Sequence, residues 1–136
     1  MDIKHESMYC FTASGADLEK IHRDLSNILR LLPKPIYEDL LICIHELIIN
    51  SIVEMETTNH KDDLISIDLC LTDEKAILCL KDLGRGISKS KSKKDEEDPL
   101  KEDGRGLEIV MMLSDWFCIY PEDNCYAYYV IKNIHM

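Results

Sequence analysis

The sequence has little positive charge and no long apolar run. Its 136 residues include 16 Lys and Arg against 26 Asp and Glu, which gives a formal net charge of −10 at pH 7. Nucleic acids and anionic membranes bind basic surfaces, so this balance argues against both as partners. A membrane-spanning helix needs about 20 consecutive apolar residues, and no such run occurs. The first ten residues lack the apolar core of a signal peptide, which predicts a cytoplasmic protein.

Two kinds of binding motif are also missing. There is no Walker A sequence, which excludes a P-loop. None of the six cysteines forms a Cys-x-x-Cys pair, and all but Cys125 stand inside apolar periodic segments. Cysteine in a reducing compartment behaves as a small apolar residue, so we expect buried free thiols rather than disulfides or a metal site. The other five are Cys10, Cys43, Cys70, Cys79 and Cys118.

Hydrophobic periodicity predicts five strands and three helices in one domain over residues 1–136. Tight turns join consecutive strands, which favours antiparallel pairing. We therefore expect an α+β two-layer sandwich, in which a mixed, mostly antiparallel sheet carries the helices on one face. The first strand is expected at an edge, and the third, apolar on both faces, near the centre. The predicted strands are residues 8–13, 64–72, 76–81, 116–120 and 126–132, and the predicted helices are residues 16–32, 35–56 and 107–113.

One long segment has a composition that cannot pack in a core. Residues 87–103 contain the run KSKSKKDEED, a basic block followed by an acidic one, with almost no apolar residue. Long loops without secondary structure are commonly functional lids or disordered segments. The composition predicts a mobile surface loop here.

A polar pair interrupts the apolar pattern of the second predicted helix. Glu46 and Asn50 are four positions apart and therefore lie on one helix face. Ile42, Ile49, Ile52 and Val53 are expected to supply apolar contacts around the pair. Buried polar groups need partners, so the pair indicates either a binding site or a helix edge where both side chains reach water.

Two glycine-rich patches stand at the ends of predicted elements. Glycine lets the backbone approach a ligand closely, and a helix N-terminus offers free N–H groups and a positive dipole end to phosphates. Each patch alone also fits an ordinary loop or a loose joint. The first patch is Asp82-Leu83-Gly84-Arg85-Gly86, after a strand, and the second is Gly104-Arg105-Gly106-Leu107, before a helix.

In this order, the polar pair and the two patches resemble the nucleotide site of the GHKL superfamily, the histidine-kinase-like ATPases. The corresponding patterns in that superfamily are ExxxN, DxGxG, and GxGL or GxGxxG. The resemblance covers residues 8–132. Within the superfamily, the chain is most similar to the small stand-alone anti-sigma-factor serine/threonine kinases. Residues 99–107 also fit the pattern of these kinases. The resemblance implies the Bergerat (GHKL) ATP-binding fold, with the segment at about 87–103 as a mobile ATP lid.

The resemblance also implies a role for each polar residue. Asn50 is expected to bind Mg²⁺, which usually keeps waters and takes one or two protein groups plus phosphates. Glu46 is expected to act as the general base that accepts the proton of a partner's hydroxyl. Asp82 is expected to accept a hydrogen bond from the adenine amino group.

The glycine patches receive their roles from the same resemblance. Gly84 and Gly86 are expected to let the backbone approach the base and sugar. The backbone N–H groups of residues 104–107 are expected to bind the phosphates of ATP. Arg105 adds a cationic fork for phosphate oxygens or for the transferred group.

The function implied is phosphorylation of a small antagonist protein of the STAS type, together with sequestration of a regulator such as a sigma factor, in a partner switch. A homodimer is implied too, with the first strand and first helix as candidate contact surface. Two departures from the pattern favour a nucleotide-binding module without phosphotransfer: Glu54 stands where these kinases often carry His, and residues 124–127 lack the usual Thr. A third alternative is a detached ATP domain that serves a histidine kinase.

Overall fold

The computed structural model describes residues 2–83, 102–122 and 124–134, without side-chain detail for residues 102–105. Gly84, Gly86 and most of the predicted lid lie outside the described residues. The elements are β1 (Ile3–Thr12), α1 (Leu18–Leu29), α2 (Lys34–Thr57), β2 (Leu64–Thr72), β3 (Lys75–Asp82), α3 (Glu102–Leu113), β4 (Trp116–Pro121) and β5 (Tyr126–Asn133).

The described strands form one sheet in the order β1-β2-β3-β5-β4, and all four neighbouring pairs are antiparallel. The α+β prediction is confirmed, with a fully antiparallel sheet among these strands instead of a mixed one. As expected, β1 is an edge strand and β3 is the central one. Alternate residues of β2, from Ile65 to Leu71, are buried in a core that also contains residues of all three helices. Strand periodicity therefore places one sheet face under the helices.

Local sequence signals fix where the first two helices begin. The Asp17 side chain caps α1 by accepting a hydrogen bond of 3.2 Å from the backbone N–H of Lys20. Pro35 stands in the first turn of α2, where a missing N–H costs nothing. No helix among the described residues is long and apolar enough to cross a membrane.

The first strand is longer than the sequence predicted. It begins at Ile3, five residues before the predicted start, and pairs with β2 from Ile3 opposite Thr72 to Thr12 opposite Leu64. The early part carries charged residues because an edge strand with one face in water needs apolar side chains on the other face only. Residues 3–7 were therefore not predicted as part of the strand, because of their charged side chains.

The thiols are less buried than predicted. All six cysteines are free, as expected, but only Cys43 and Cys79 are buried, and Cys10 is exposed on the edge strand. Burial raises the pKa of Cys43 to about 12 and that of Cys79 to about 11, so both thiols stay protonated at neutral pH. The predicted strand at residues 8–13 is apolar on both faces, so its sequence does not show which face is exposed. The exposure of Cys10 was therefore not predicted.

Candidate functional site

Most of the buried polar residues collect where α2 crosses the end of β3. Among the described residues, five polar or charged residues are buried, and four of them belong to this place. They are exposed by 8% or less. The four are Asn50, Ser51, Glu54 and Asp82. Buried polar groups at this density are costly unless they bind one another or a ligand.

A short hydrogen bond joins the helix to the strand at this cluster. Ser51 Oγ donates to Asp82 Oδ2 at 2.5 Å, and both side chains are almost inaccessible to solvent. Asp82 is the last residue of β3, one position beyond the predicted end of this strand. The bond fixes the orientation of the carboxylate. Ser51 was not predicted, because a single serine in an apolar helix carries no pattern of its own.

Two buried polar atoms of the cluster have no hydrogen-bond partner among the described residues other than each other. They are Nδ2 of Asn50 and the hydroxyl oxygen of Tyr128. Burial raises the pKa of Tyr128, and the negative charges of Asp82 and Glu54 raise it further. The Tyr128 hydroxyl therefore lies close to both carboxylates and keeps its proton at neutral pH.

Glu46 lies one turn before this cluster, and α3 reaches it through a glycine. A Cβ placed on Gly106 would stand 2.5 Å from Glu46 Oε1. Gly106 is buried in this contact, and α2 and α3 pack together along it. The third sequence patch therefore meets the first, while the Ser51–Asp82 bond connects the first to the second.

The predicted apolar surround of the pair is wrong in part. Ile42, Ile49 and Val53 are exposed by 45%, 36% and 39%, while Asn50 is exposed by 6%. Glu46 is half-buried. Ile42, Ile49 and Val53 therefore lie on the solvent-exposed side of α2, whereas Asn50 faces the protein interior. The water-facing alternative thus holds for Glu46 and fails for Asn50.

The second glycine patch lies inside α3 and not before it. Since α3 begins at Glu102, Gly104 and Arg105 fall in its first turn. The first four N–H groups of a helix have no acceptor within the helix. Gly106 and Leu107 follow that turn, and the Leu107 side chain is buried in the core. The free N–H groups at this terminus therefore precede Arg105.

An open cavity of about 620 Å³ runs between α1 and α2 and ends at Glu46. Its basic lining is His22, Arg23, Arg30 and His45. His22 Nε2 and His45 Nδ1 are 3.0 Å apart and share a hydrogen bond. Burial lowers the pKa of His22, and the nearby His45 lowers it further. The cavity places basic side chains beside the one carboxylate of its lining.

The donor set fits Mg²⁺ only together with a nucleotide. No group of three or more His, Cys, Asp or Glu side chains among the described residues is arranged to hold a metal ion. Mg²⁺ usually takes one or two protein oxygens and completes its shell with waters and phosphates. Asn50, buried and with no partner for its amide nitrogen other than the Tyr128 hydroxyl, offers one such oxygen.

Comparisons with known proteins agree with this fold. The family model described as histidine kinase-like ATPase domain matches residues 11–126. A chain of the crystal structure of the SiaB-SiaC complex from Pseudomonas aeruginosa has a TM-score of 0.63 and 10% sequence identity. That match covers 95% of this chain and 89% of the other. Among the curated proteins no sequence match was found.

Proposed function

The chain belongs to the histidine kinase-like ATPase family, and from this membership we propose that it is an ATP-dependent serine/threonine protein kinase. Its substrate is a small antagonist protein of the STAS type, and the kinase also sequesters a regulator such as a sigma factor. Residues 1–136 form a single ATP-binding domain in this proposal, with residues 87–103 as the lid.

The convergence of two remote segments, the end of β3 and the start of α3, on α2 carries the proposal. Asp82 accepts a hydrogen bond from Ser51, the residue that follows Asn50 in the sequence. Gly106 touches Glu46 one turn away. A triphosphate between these contacts would extend from the base end at Asp82 to the reacting end at Glu46. This order matches the adenine, metal and acceptor roles expected of the residues.

The proposed reaction moves one proton and one phosphoryl group. The Glu46 carboxylate accepts the proton of the acceptor hydroxyl, whose oxygen then bonds to the γ-phosphorus of ATP. The bond between that phosphorus and the β,γ-bridging oxygen breaks, and ADP leaves. Asn50 would hold Mg²⁺, which would neutralise negative charge on the phosphates of ATP. The remaining phosphate contacts come from the start of α3, where Gly104 and Arg105 lie.

The groove between α1 and α2 supports a protein as the acceptor. Arg23 and Arg30 are exposed on its wall, and Glu46 stands at its end. Basic side chains in a chain of net charge −10 favour an acidic segment of a partner. The fold is shared with a chain taken from a two-protein complex, which also supports a protein partner.

A nucleotide-binding module without phosphotransfer is the second candidate. The buried Glu54 favours it, because this carboxylate stands where the kinases that the chain resembles often carry His. In that case ATP sets the shape of the protein, the partner is held, and no group is transferred. A detached ATP domain of a histidine kinase remains a third function with the same site.

A phosphotransfer assay separates the first two candidates. The protein is incubated with γ-labelled ATP, Mg²⁺ and its cognate STAS-type antagonist. We expect label on the antagonist, reduced at least about tenfold by Glu46→Gln, in line with general-base contributions. Glu56→Gln, at an exposed position farther along the same helix, is the matched control and should leave labelling unchanged. If wild type binds antagonist and ATP but never labels the antagonist, the module function is correct.

A further inference from the structure

The hydroxyl group of Tyr128 is a buried donor without an acceptor in the described part of the chain. The Tyr128 side chain is 0% exposed, and its only hydrogen-bonding neighbour there is a donor, Nδ2 of Asn50, so the hydroxyl proton has no acceptor. Buried hydroxyl groups in folded proteins nearly always have a partner. The proposed reaction does not use this group, so its position needs another explanation.

The strand register places Tyr128 beside Asp82. On β5, Tyr126 is the cross-strand partner of Asp82, and Tyr128 is the partner of Leu80. Residues two apart on a strand point to the same face, so Asp82 and Tyr128 are diagonal neighbours on the inner face of the sheet. An aromatic side chain spans such a diagonal. The hydroxyl therefore belongs to the same buried cluster as the Ser51–Asp82 bond.

The two side chains have opposite hydrogen-bonding roles. An ionised Asp82 only accepts, and one of its oxygens already accepts from Ser51. Burial and the charges of Asp82 and Glu54 raise the pKa of Tyr128, so its hydroxyl stays a donor. One edge of adenine carries an amino donor next to the ring acceptor N1, which complements this acceptor and donor. The same edge of guanine carries an oxygen acceptor next to an N–H donor, which does not.

We propose that Tyr128 is a base-recognition residue, whose hydroxyl donates a hydrogen bond to N1 of adenine while Asp82 accepts one from the adjacent amino group. This inference rests on the proposed binding of ATP. It assigns the selection of adenine over guanine to Tyr128 on β5 and to Asp82 at the end of β3. Asp82 is in turn hydrogen-bonded to Ser51 of α2.

Calorimetric titration of three proteins with three nucleotides tests the inference. The proteins are wild type, Tyr128→Phe and Tyr129→Phe, and the nucleotides are ATP, 1-deaza-ATP and 7-deaza-ATP, each with Mg²⁺. Tyr129 is the matched control, because it lies on the opposite sheet face and its hydroxyl donates to Glu122 at 3.3 Å. We expect wild type to bind 1-deaza-ATP about tenfold more weakly than ATP. Tyr128→Phe should bind both equally weakly, while 7-deaza-ATP should behave as ATP throughout.

Thermal unfolding without nucleotide distinguishes recognition from a structural role. The proton of the Tyr128 hydroxyl has no acceptor without nucleotide, so the melting temperature of Tyr128→Phe should stay close to that of the wild type. Equal affinity of wild type and Tyr128→Phe for ATP, or a lower melting temperature of the variant with unchanged discrimination of 1-deaza-ATP, overturns the inference and leaves the proposed function standing. Failure of wild type to bind any of the three nucleotides overturns both.

Discussion

At the scale of single residues, the informative groups are polar side chains that the fold buries. Asp82 was predictable, because a carboxylate directly after an apolar strand stands out in the sequence. Ser51 and Tyr128 were not predictable, since each stands among apolar residues and acquires its role from an element distant along the chain. Glu54, noted as a departure from the family pattern, is buried, and its charge acts on Tyr128. Such roles depend on partners that local patterns do not contain.

Stability should fall on acidification because of His22. Burial, followed by the effect of His45, lowers the pKa of His22 in the folded protein below its ordinary value of 6.5. The unfolded chain therefore binds more protons than the folded chain in the window below about 6.5, and stability rises with pH there. We expect the urea midpoint of the wild type to decrease as the pH falls from about 7.5 to about 5.5.

The matched variant for this test is His22→Gln, which keeps a hydrogen-bonding side chain opposite His45. Its midpoint should depend less steeply on pH over the same window, since one lowered pKa has been removed. Identical pH dependence of variant and wild type would show that His22 does not contribute.

At the scale of elements, α2 organises the site. Its successive turns hold Glu46 against Gly106 of α3, Ser51 against Asp82 of β3, and Asn50 and Glu54 near Tyr128 of β5. Periodicity predicted this helix and all five strands, with β1 at an edge of the sheet and β3 near its centre. The start of β1 was missed because charged residues are compatible with an edge strand. The start of α3 was missed because the charged run before Gly104 has no apolar repeat, so its helical turn depends on the anchoring of Leu107 and Val110 in the core.

The contact between α2 and α3 yields a prediction for Gly106→Ala. An alanine in a helix interior is more favourable than glycine by about 0.5–1 kcal/mol. Its Cβ would stand 2.5 Å from Glu46 Oε1, so the Glu46 side chain has to move. We therefore expect phosphotransfer to fall about tenfold, while the free energy of unfolding from urea titration stays the same or rises.

The control for this prediction is the same substitution in a Glu46→Ala background. There the new methyl group meets no carboxylate, so the free energy of unfolding should increase by the full difference between alanine and glycine in a helix interior. Unimpaired phosphotransfer by Gly106→Ala would show that the position of the Glu46 carboxylate is not critical.

At the scale of the whole molecule, the order of elements was predictable and the convergence of the site was predictable only through resemblance. Composition and turn signals were sufficient to predict a mostly antiparallel sheet with helices on one face. No periodicity shows that residue 46 contacts residue 106, or that residue 51 binds residue 82. Such contacts arise from tertiary packing of α2 across the sheet. The basic groove in an acidic protein likewise became visible only when α1 and α2 were placed side by side.

Calorimetric titration of the wild type with ATP, with and without Mg²⁺, tests most directly whether α2, the end of β3 and the start of α3 form one adenine nucleotide site. We expect one ATP to bind per chain with an affinity that Mg²⁺ increases, and GTP to bind at least about tenfold more weakly. Asn50→Ala should lose the effect of Mg²⁺. A folded wild-type sample that binds no ATP at millimolar concentration, or binds ATP and GTP equally, would contradict this account.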